Sequence, residues 1–116
     1  MEIKIIKEEI GLSELEKMAE KGFGDMVKAV VDVEQKIMAV GPELHADGEV
    51  LLMEECGSKR ENTWGINIYP KKTGEDFIEF DSMINLKPAL GNRSRGVENP
   101  EIRDRIRAIC NSLIKI

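Results

Sequence analysis

The hydrophobic positions of this chain change spacing along its length, first as in a strand and then as in a helix. Residues 2–6 alternate polar and β-branched side chains, which predicts a short opening strand. Ser13 and Glu16 then form an S-x-x-E capping box, and the apolar helical face that follows stops at Gly22. A strand followed by a helix is therefore the first predicted unit.

The segment 26–40 fits two patterns. Its apolar residues at helical spacing are Met26, Val30, Val33, Ile37 and Val40. The alternative is a β-hairpin, because residues 27–33 are rich in β-branched side chains and polar residues 34–36 stand where a turn would precede the apolar run 37–40. We predict the hairpin.

The middle of the chain predicts one helix and a second hairpin. Asp47 is placed to cap a short helix that ends near Gly57. Strands are predicted over 64–69 and 77–86, because turn-forming residues stand at both ends of the connecting segment 70–76.

The last predicted element is a helix whose start is marked twice, by Asn99 as N-cap and by Pro100 at the first helical position. Its core-facing stripe consists of Ile102, Ile106, Ile109, Cys110, Leu113 and Ile114. No repeat or linker interrupts the pattern. Residues 1–116 are thus predicted to form a single α+β domain, a small antiparallel sheet of about four to five strands with helices packed on one face.

Composition and charge narrow the possible partners. A chain of 116 residues with 41% apolar and 34% charged side chains is typical of one globular domain. Its net charge of −5 disfavours general nucleic-acid binding. However, residues 87–116 carry seven Lys/Arg against three Asp/Glu. An anionic partner is therefore expected at the C-terminal quarter.

Cysteine use and hydropathy indicate the compartment. Cys56 and Cys110 are the two cysteines, and neither lies in a CxxC motif or a disulfide-rich spacing. No apolar run approaches the ~20 residues of a membrane span, and the N-terminus lacks the apolar stretch of a signal peptide. We predict a cytoplasmic protein with no membrane partner and no cofactor.

The segment 91–96 is the strongest candidate for a binding site. Arg93 and Arg95 lie between glycines ahead of the last helix, and a guanidinium group offers a planar, always-charged fork to a carboxylate or phosphate. Asn92 and Ser94 are predicted to add neutral hydrogen bonds. The loop is therefore predicted to bind a small anionic ligand.

An internal carboxylate is the competing partner for these arginines, and Asp81 and Asp47 are candidates for it. Strand alternation divides the predicted 64–86 hairpin into an apolar core face and a polar face that serves either as solvated surface or as a ligand floor. The polar side chains of this predicted hairpin are Asn67, Tyr69, Glu79, Asp81 and Asn85. We expect His45, Trp64 and Asp81 in the same cleft as the loop.

His45 is the only histidine of the chain. On an extended segment Glu43, His45 and Asp47 would project to one side, which suits a divalent metal or a carboxylate-oriented general base. One histidine with two carboxylates is a sparse ligand set, and Asp47 has a competing role as a helix cap. A structural hydrogen bond is therefore favoured, and no metal site is predicted.

The motifs for nucleotide, zinc-protease and serine-hydrolase chemistry are absent from the sequence. Three classes of function stay open. The first is a binding domain for an anionic or phosphate-bearing ligand, the second an RNA-acting hydrolase of the compact toxin type, and the third a protein-interaction module or homo-oligomer. Whether the chain is an enzyme is left open.

Several segments together resemble one family. They are Glu43-Leu44-His45-Ala46-Asp47, Trp64-Gly65-Ile66-Asn67-Ile68-Tyr69-Pro70, Phe80-Asp81-Ser82-Met83-Ile84-Asn85-Leu86-Lys87-Pro88, Gly91-Asn92-Arg93-Ser94 and Asn99-Pro100-Glu101-Ile102-Arg103. Over most of residues 25–114 the chain resembles a family of small prokaryotic proteins catalogued as a domain of unknown function. The resemblance implies a small prokaryotic cytosolic protein, and it assigns no reaction and no catalytic residue.

Overall fold

A computed structural model describes residues 2–116. Its helices are α1 (Leu12–Lys21), α2 (His45–Cys56) and α3 (Pro100–Leu113). Its strands are β1 (Lys4–Ile6), β2 (Ile10–Gly11), β3 (Val27–Asp32), β4 (Ile37–Val40), β5 (Thr63–Ile68), β6 (Ile78–Glu79) and β7 (Ile114–Lys115). None of the helices in residues 2–116 is both long and apolar enough to cross a membrane.

The central sheet has five antiparallel strands in the order β1-β4-β3-β5-β6, and β2 and β7 form a separate parallel pair. The predicted α+β class and the predicted antiparallel sheet are confirmed. The ambiguous segment 26–40 is the β3–β4 hairpin, in which Asp32 pairs with Ile37. The Asp32 carboxylate accepts the backbone amides of Glu34 and Gln35, which stabilises the turn.

Helices cover both faces of the sheet. Leu15 of α1 and Ile106 of α3 lie in the larger core with Trp64, whereas Leu52 of α2 packs on the opposite face with Val30. The prediction of helices on one face therefore holds for α1 and α3 and is wrong for α2. The physical reason is that every residue of β4 and nearly every residue of β3 is buried, so neither face of these strands is left to water.

Two predicted helix caps are wrong. The capping box of Ser13 and Glu16 does not form, because α1 already begins at Leu12 with Gly11 as N-cap and no side-chain cap. Asp47 lies within the first turn of α2, whose N-cap is Leu44, and there it can only favour the helix dipole.

The predicted ends of α1 and α2 and the predicted start of α3 are confirmed. Gly22 ends α1, and Gly57 ends α2 with the left-handed φ of 67°. The Asn99 side chain accepts the Glu101 amide at 2.9 Å and so caps α3. Cys110 is a buried apolar group of α3, and burial raises the pKa of its thiol to about 12.

The predicted strand 77–86 is mostly wrong, because only β6 is strand and residues 83–85 form a 3-10 turn. Ser82 Oγ accepts the Ile84 amide at 3.2 Å, which favours the turn. Beyond β6, the Asn85 carboxamide replaces the missing strand. Its Oδ1 accepts the Gly65 amide at 2.8 Å, and its Nδ2 donates to the Gly65 carbonyl at 3.0 Å. The Asn85 side chain therefore provides the hydrogen-bond partners that a neighbouring strand would otherwise give to Gly65 of β5.

Candidate ligand-binding face

Polar side chains gather on the α2 side of the sheet, toward the β5–β6 edge. Helix α2 packs over β3 and β4 on this side, and the edge beyond carries the polar group. We call this group the polar face. It comprises His45, Asn67, Tyr69, Glu79, Asp81 and Arg95.

Asn67 lies at the centre of the polar face and is buried. Its Nδ2 donates to Glu79 Oε1 at 2.9 Å, and the Tyr69 hydroxyl donates to the same oxygen at 3.1 Å. Burial first, and the Glu79 carboxylate second, raise the pKa of the Tyr69 phenol. Within residues 2–116 no group donates to Asn67 Oδ1, although this atom is buried. The face therefore holds an unsatisfied acceptor.

His45 begins α2 and is 7% exposed. Its Nε2 lies 2.8 Å from the Ile66 carbonyl oxygen, and because a carbonyl oxygen can only accept, Nε2 carries the proton. Desolvation by burial lowers the pKa of the imidazole, and nearby Lys28 lowers it further, whereas the Ile66 carbonyl and the Asn67 side chain act in the opposite direction. The ring is therefore neutral near pH 7.

Arg95 is held against Asp81 at the outer edge of the polar face. Its Nε donates to Asp81 Oδ1 at 2.8 Å, and the two side chains are 57% and 43% exposed. The competing partner named from the sequence is thus present for Arg95. The pair uses only one edge of the guanidinium, because within residues 2–116 the two terminal nitrogens make no hydrogen bond. Asp81 therefore orients the Arg95 guanidinium and leaves Nη1 and Nη2 able to donate to a ligand.

Asn92 serves the loop itself. Its buried Nδ2 donates to the carbonyls of Asn85 and Gly96 at 2.7 and 2.8 Å, and its Oδ1 accepts the Glu98 amide at 2.8 Å. Backbone groups therefore use both ends of the carboxamide. Asn92 holds the loop in shape and has no free group to offer to a ligand in this conformation.

The backbone of the loop already holds an anion, the carboxylate of Glu98. Glu98 Oε2 accepts the amides of Arg93 and Ser94 at 2.7 and 2.9 Å. The Arg93 amide and then the Ser94 side chain lower the pKa of Glu98. The Arg93 guanidinium makes no hydrogen bond or ion pair within the described part of the chain. The Arg93 and Ser94 amides thus form an oxyanion nest that the protein's own Glu98 carboxylate occupies.

Trp64 does not join the cleft in which the sequence placed it. Its ring is buried in the larger core, and strand alternation turns it away from Gly65 and Asn67. The extended Glu43–Asp47 segment is also wrong, because His45 is helical. In residues 2–116, no three His, Cys, Asp or Glu side chains are grouped so that they could hold a metal ion.

Two buried charged residues had no distinguishing signal in the sequence. Lys87 is 6% exposed, donates from Nζ to the Ile84 carbonyl at 3.1 Å and has its pKa lowered by burial. The buried Glu49 accepts from Thr63 Oγ1 at 2.6 Å and from Arg60 at 2.9 Å. In a chain with 34% charged residues, neither residue stands out by its type or spacing.

Comparison with known proteins identifies a family. A family model described as "Protein of unknown function (DUF5674)" matches residues 4–113. Neither the curated proteins nor the solved structures include a match to this chain.

Proposed function

The chain belongs to the family of unknown function whose model matches residues 4–113, and we propose that it binds a small anionic or phosphate-bearing ligand where the polar face meets loop 91–96. The observation that carries the proposal is the Arg95 guanidinium. Asp81 orients it through Nε, and its two terminal nitrogens are left for an oxyanion. A preset guanidinium fork binds a carboxylate or phosphate with less loss of side-chain entropy.

The adjoining loop supports the same chemistry. The amides of Arg93 and Ser94 hold the Glu98 carboxylate at hydrogen-bond distances, so their geometry suits an oxyanion. The Arg93 side chain adds a second cation with no internal partner among the described residues. An incoming anion either binds beside Glu98 on the guanidinium groups or displaces its carboxylate.

The rest of the polar face favours a ligand that also carries a donor group. Asn67 Oδ1 is a buried acceptor without a partner in residues 2–116, and such a group costs about 1–3 kcal/mol until a donor reaches it. A hydroxyl or ammonium group on the anionic ligand would satisfy this acceptor.

Amide NMR with inorganic phosphate and with phosphoserine tests the proposal. We expect the amides of Arg93, Ser94 and Arg95 to shift with both probes, and the Asn67 side-chain amide to shift with phosphoserine. Losing one charge-assisted contact weakens binding about tenfold, so Arg95→Gln should do so. The matched control is Lys71→Gln, which removes one exposed charge outside the polar face. Loop amides that phosphate leaves unmoved would remove the proposal.

We also infer a cytoplasmic location and a prokaryotic source. The family resemblance supports both, and the two free thiols, Cys56 and Cys110, support a reducing compartment. Fractionation of the source cells tests the location, and recovery of the protein outside the cytoplasmic fraction would contradict it.

Protein association is a second candidate function, and exposed apolar residues on α2 favour it. Val50 and Met53 stand one helical turn apart and are 49% and 42% exposed, and Leu44 and Met83 are also exposed. Light scattering over a wide concentration range tests self-association. A mass above the monomer that returns to the monomer in Met53→Lys supports it, and a monomer throughout dismisses it.

The third class, an RNA-acting hydrolase, stays a prediction. A neutral imidazole such as that of His45 can act as a general base, and the basic quarter of the chain would contact phosphate. Labelled RNA tests this class. If the wild-type protein and His45→Ala leave the RNA equally intact, the class is dismissed.

A further inference from the structure

A cavity of about 390 Å³ lies between the turn of the β3–β4 hairpin and the C-terminal half of α3. It stands on the α3 side of the sheet, whereas the polar face stands on the α2 side. Its lining includes Val33, Lys36, Arg105, Ile109, Ser112 and Leu113. This volume falls in the range of about 300–1,000 Å³ that is usual for small-molecule sites.

The walls of this cavity combine apolar surface with two positive charges. Val33, Ile109 and Leu113 form its apolar floor, although each is 6% exposed or less, and the exposed Ala108 adds apolar surface at the rim. Lys36 and Arg105 supply the charges, and no carboxylate side chain among residues 2–116 lines the cavity. Neither cation forms an ion pair within residues 2–116. Glu101 lies one helical turn before Arg105 and, within residues 2–116, does not pair with it.

Arg105 is held in place without being neutralised. Its Nη2 donates to the Val33 carbonyl at 2.9 Å, which fixes the guanidinium at the mouth of the cavity. Its other N–H groups make no hydrogen bond within the described part of the chain. A carbonyl oxygen carries no net charge, so the cation keeps its attraction for an anion.

Lys36 occupies a backbone position that glycine or asparagine would fill without strain. Its φ is 60°, and it is the only residue other than glycine in residues 2–116 with a positive φ. A strained residue whose side chain lines a cavity points to a use for that side chain beyond the turn.

We propose that this cavity is a second binding site, which takes a monocarboxylate with an apolar tail, such as a medium-chain fatty acid. The carboxylate lies between Lys36 and Arg105, and the tail packs along Val33, Ile109 and Leu113. Charge complementarity selects this ligand class, because the walls are apolar and both charged side chains are positive. The proposal is independent of the anion site on the polar face.

Amide NMR with octanoate tests this proposal, with acetate and octanol as matched probes that lack the tail or the charge. We expect octanoate to shift the amides of Val33, Lys36, Arg105 and Ile109, and each matched probe to bind at least about tenfold more weakly. Shifts confined to the exposed apolar surface of α2, or equal binding of octanol and octanoate, would overturn the proposal.

Two variants separate ligand binding from fold stability. Lys36→Gly removes a charge and relieves the left-handed backbone, so we expect unchanged or higher stability with about tenfold weaker octanoate binding. Arg105→Gln should weaken binding similarly, whereas Arg107→Gln, which removes a charge from the same helix outside the cavity, should not. Lys36→Gly binding octanoate as tightly as wild type would refute the proposed site.

Discussion

The Asn85 carboxamide completes the edge of β5, and its removal is the sharpest test of the fold. In Asn85→Ala, the Gly65 N–H and C=O lose the partners that they have at 2.8 and 3.0 Å. The register of β5 with β3 places Gly65 opposite Val30, and both Gly65 groups point away from β3 to Asn85. Within residues 2–116, no other strand lies beside Gly65 at this edge.

The magnitude follows from the number of buried groups left without a partner. The Arg95 carbonyl also loses its bond from Asn85, at 2.9 Å, but it keeps the Ser82 amide. Two groups, both on Gly65, are therefore orphaned. At about 1–3 kcal/mol each, the loss is about 2–6 kcal/mol, a large part of the usual stability of about 5–15 kcal/mol.

Urea unfolding followed by circular dichroism measures this loss. Asn85→Ala should lower the midpoint with an unchanged slope, because the surface exposed on unfolding stays nearly the same. Asn111→Ala is the matched control, since Asn111 is an exposed asparagine of α3. A loss for Asn85→Ala within about 0.5 kcal/mol of that for Asn111→Ala would refute the role of Asn85 as a substitute for a strand.

Three further predictions concern His45, the Glu98 carboxylate in loop 91–96 and Gly65 of β5. His45 should titrate below 6.5 in a proton NMR titration, because burial lowers its pKa; stability should therefore fall as pH drops below 6.5, and His45→Gln should lose that part of the pH dependence. Glu98→Gln replaces a charged competitor by a neutral one, so phosphate should bind the loop about 3–10-fold more tightly by NMR, and weaker binding would contradict the nest. Gly65→Ala places a Cβ 2.5 Å from Ser82 Cβ and should cost about 1–3 kcal/mol in urea unfolding. The control is Gly96→Ala, whose Cβ meets its nearest atom at 3.5 Å and which should be nearly neutral.

Features that depend on neighbours in the chain could be predicted from the sequence. The β3–β4 hairpin, the Asn99 cap and the Gly57 stop each arise from interactions within a few residues. The apolar stripe of α3 was also predicted from its helical spacing, except for Ile114, which begins β7. The predicted Ser13 cap is wrong, because the S-x-x-E pattern is also present when the helix begins two residues earlier, at Leu12.

The candidate site was predicted only in part, and its particular residues show why. The Arg95–Asp81 pair was predicted as a competing interaction, because an arginine in a loop without a local carboxylate needs an acidic partner from elsewhere in the chain. The sequence did not indicate that Asp81 would leave the outer nitrogens of Arg95 free. It also assigned Asn92 to a ligand, whereas the carboxamide of Asn92 is used by the backbone.

The sequence by itself determined the α+β class, the β3–β4 hairpin, helix α3 and the basic C-terminal quarter. These features depend on the local propensity and charge of residues that are close together in the chain. Only the tertiary structure decided that α2 covers the second face and that Asn85 replaces a strand beside Gly65. These outcomes depend on contacts between residues about 20 or more positions apart, where burial and hydrogen-bond satisfaction outweigh local preference.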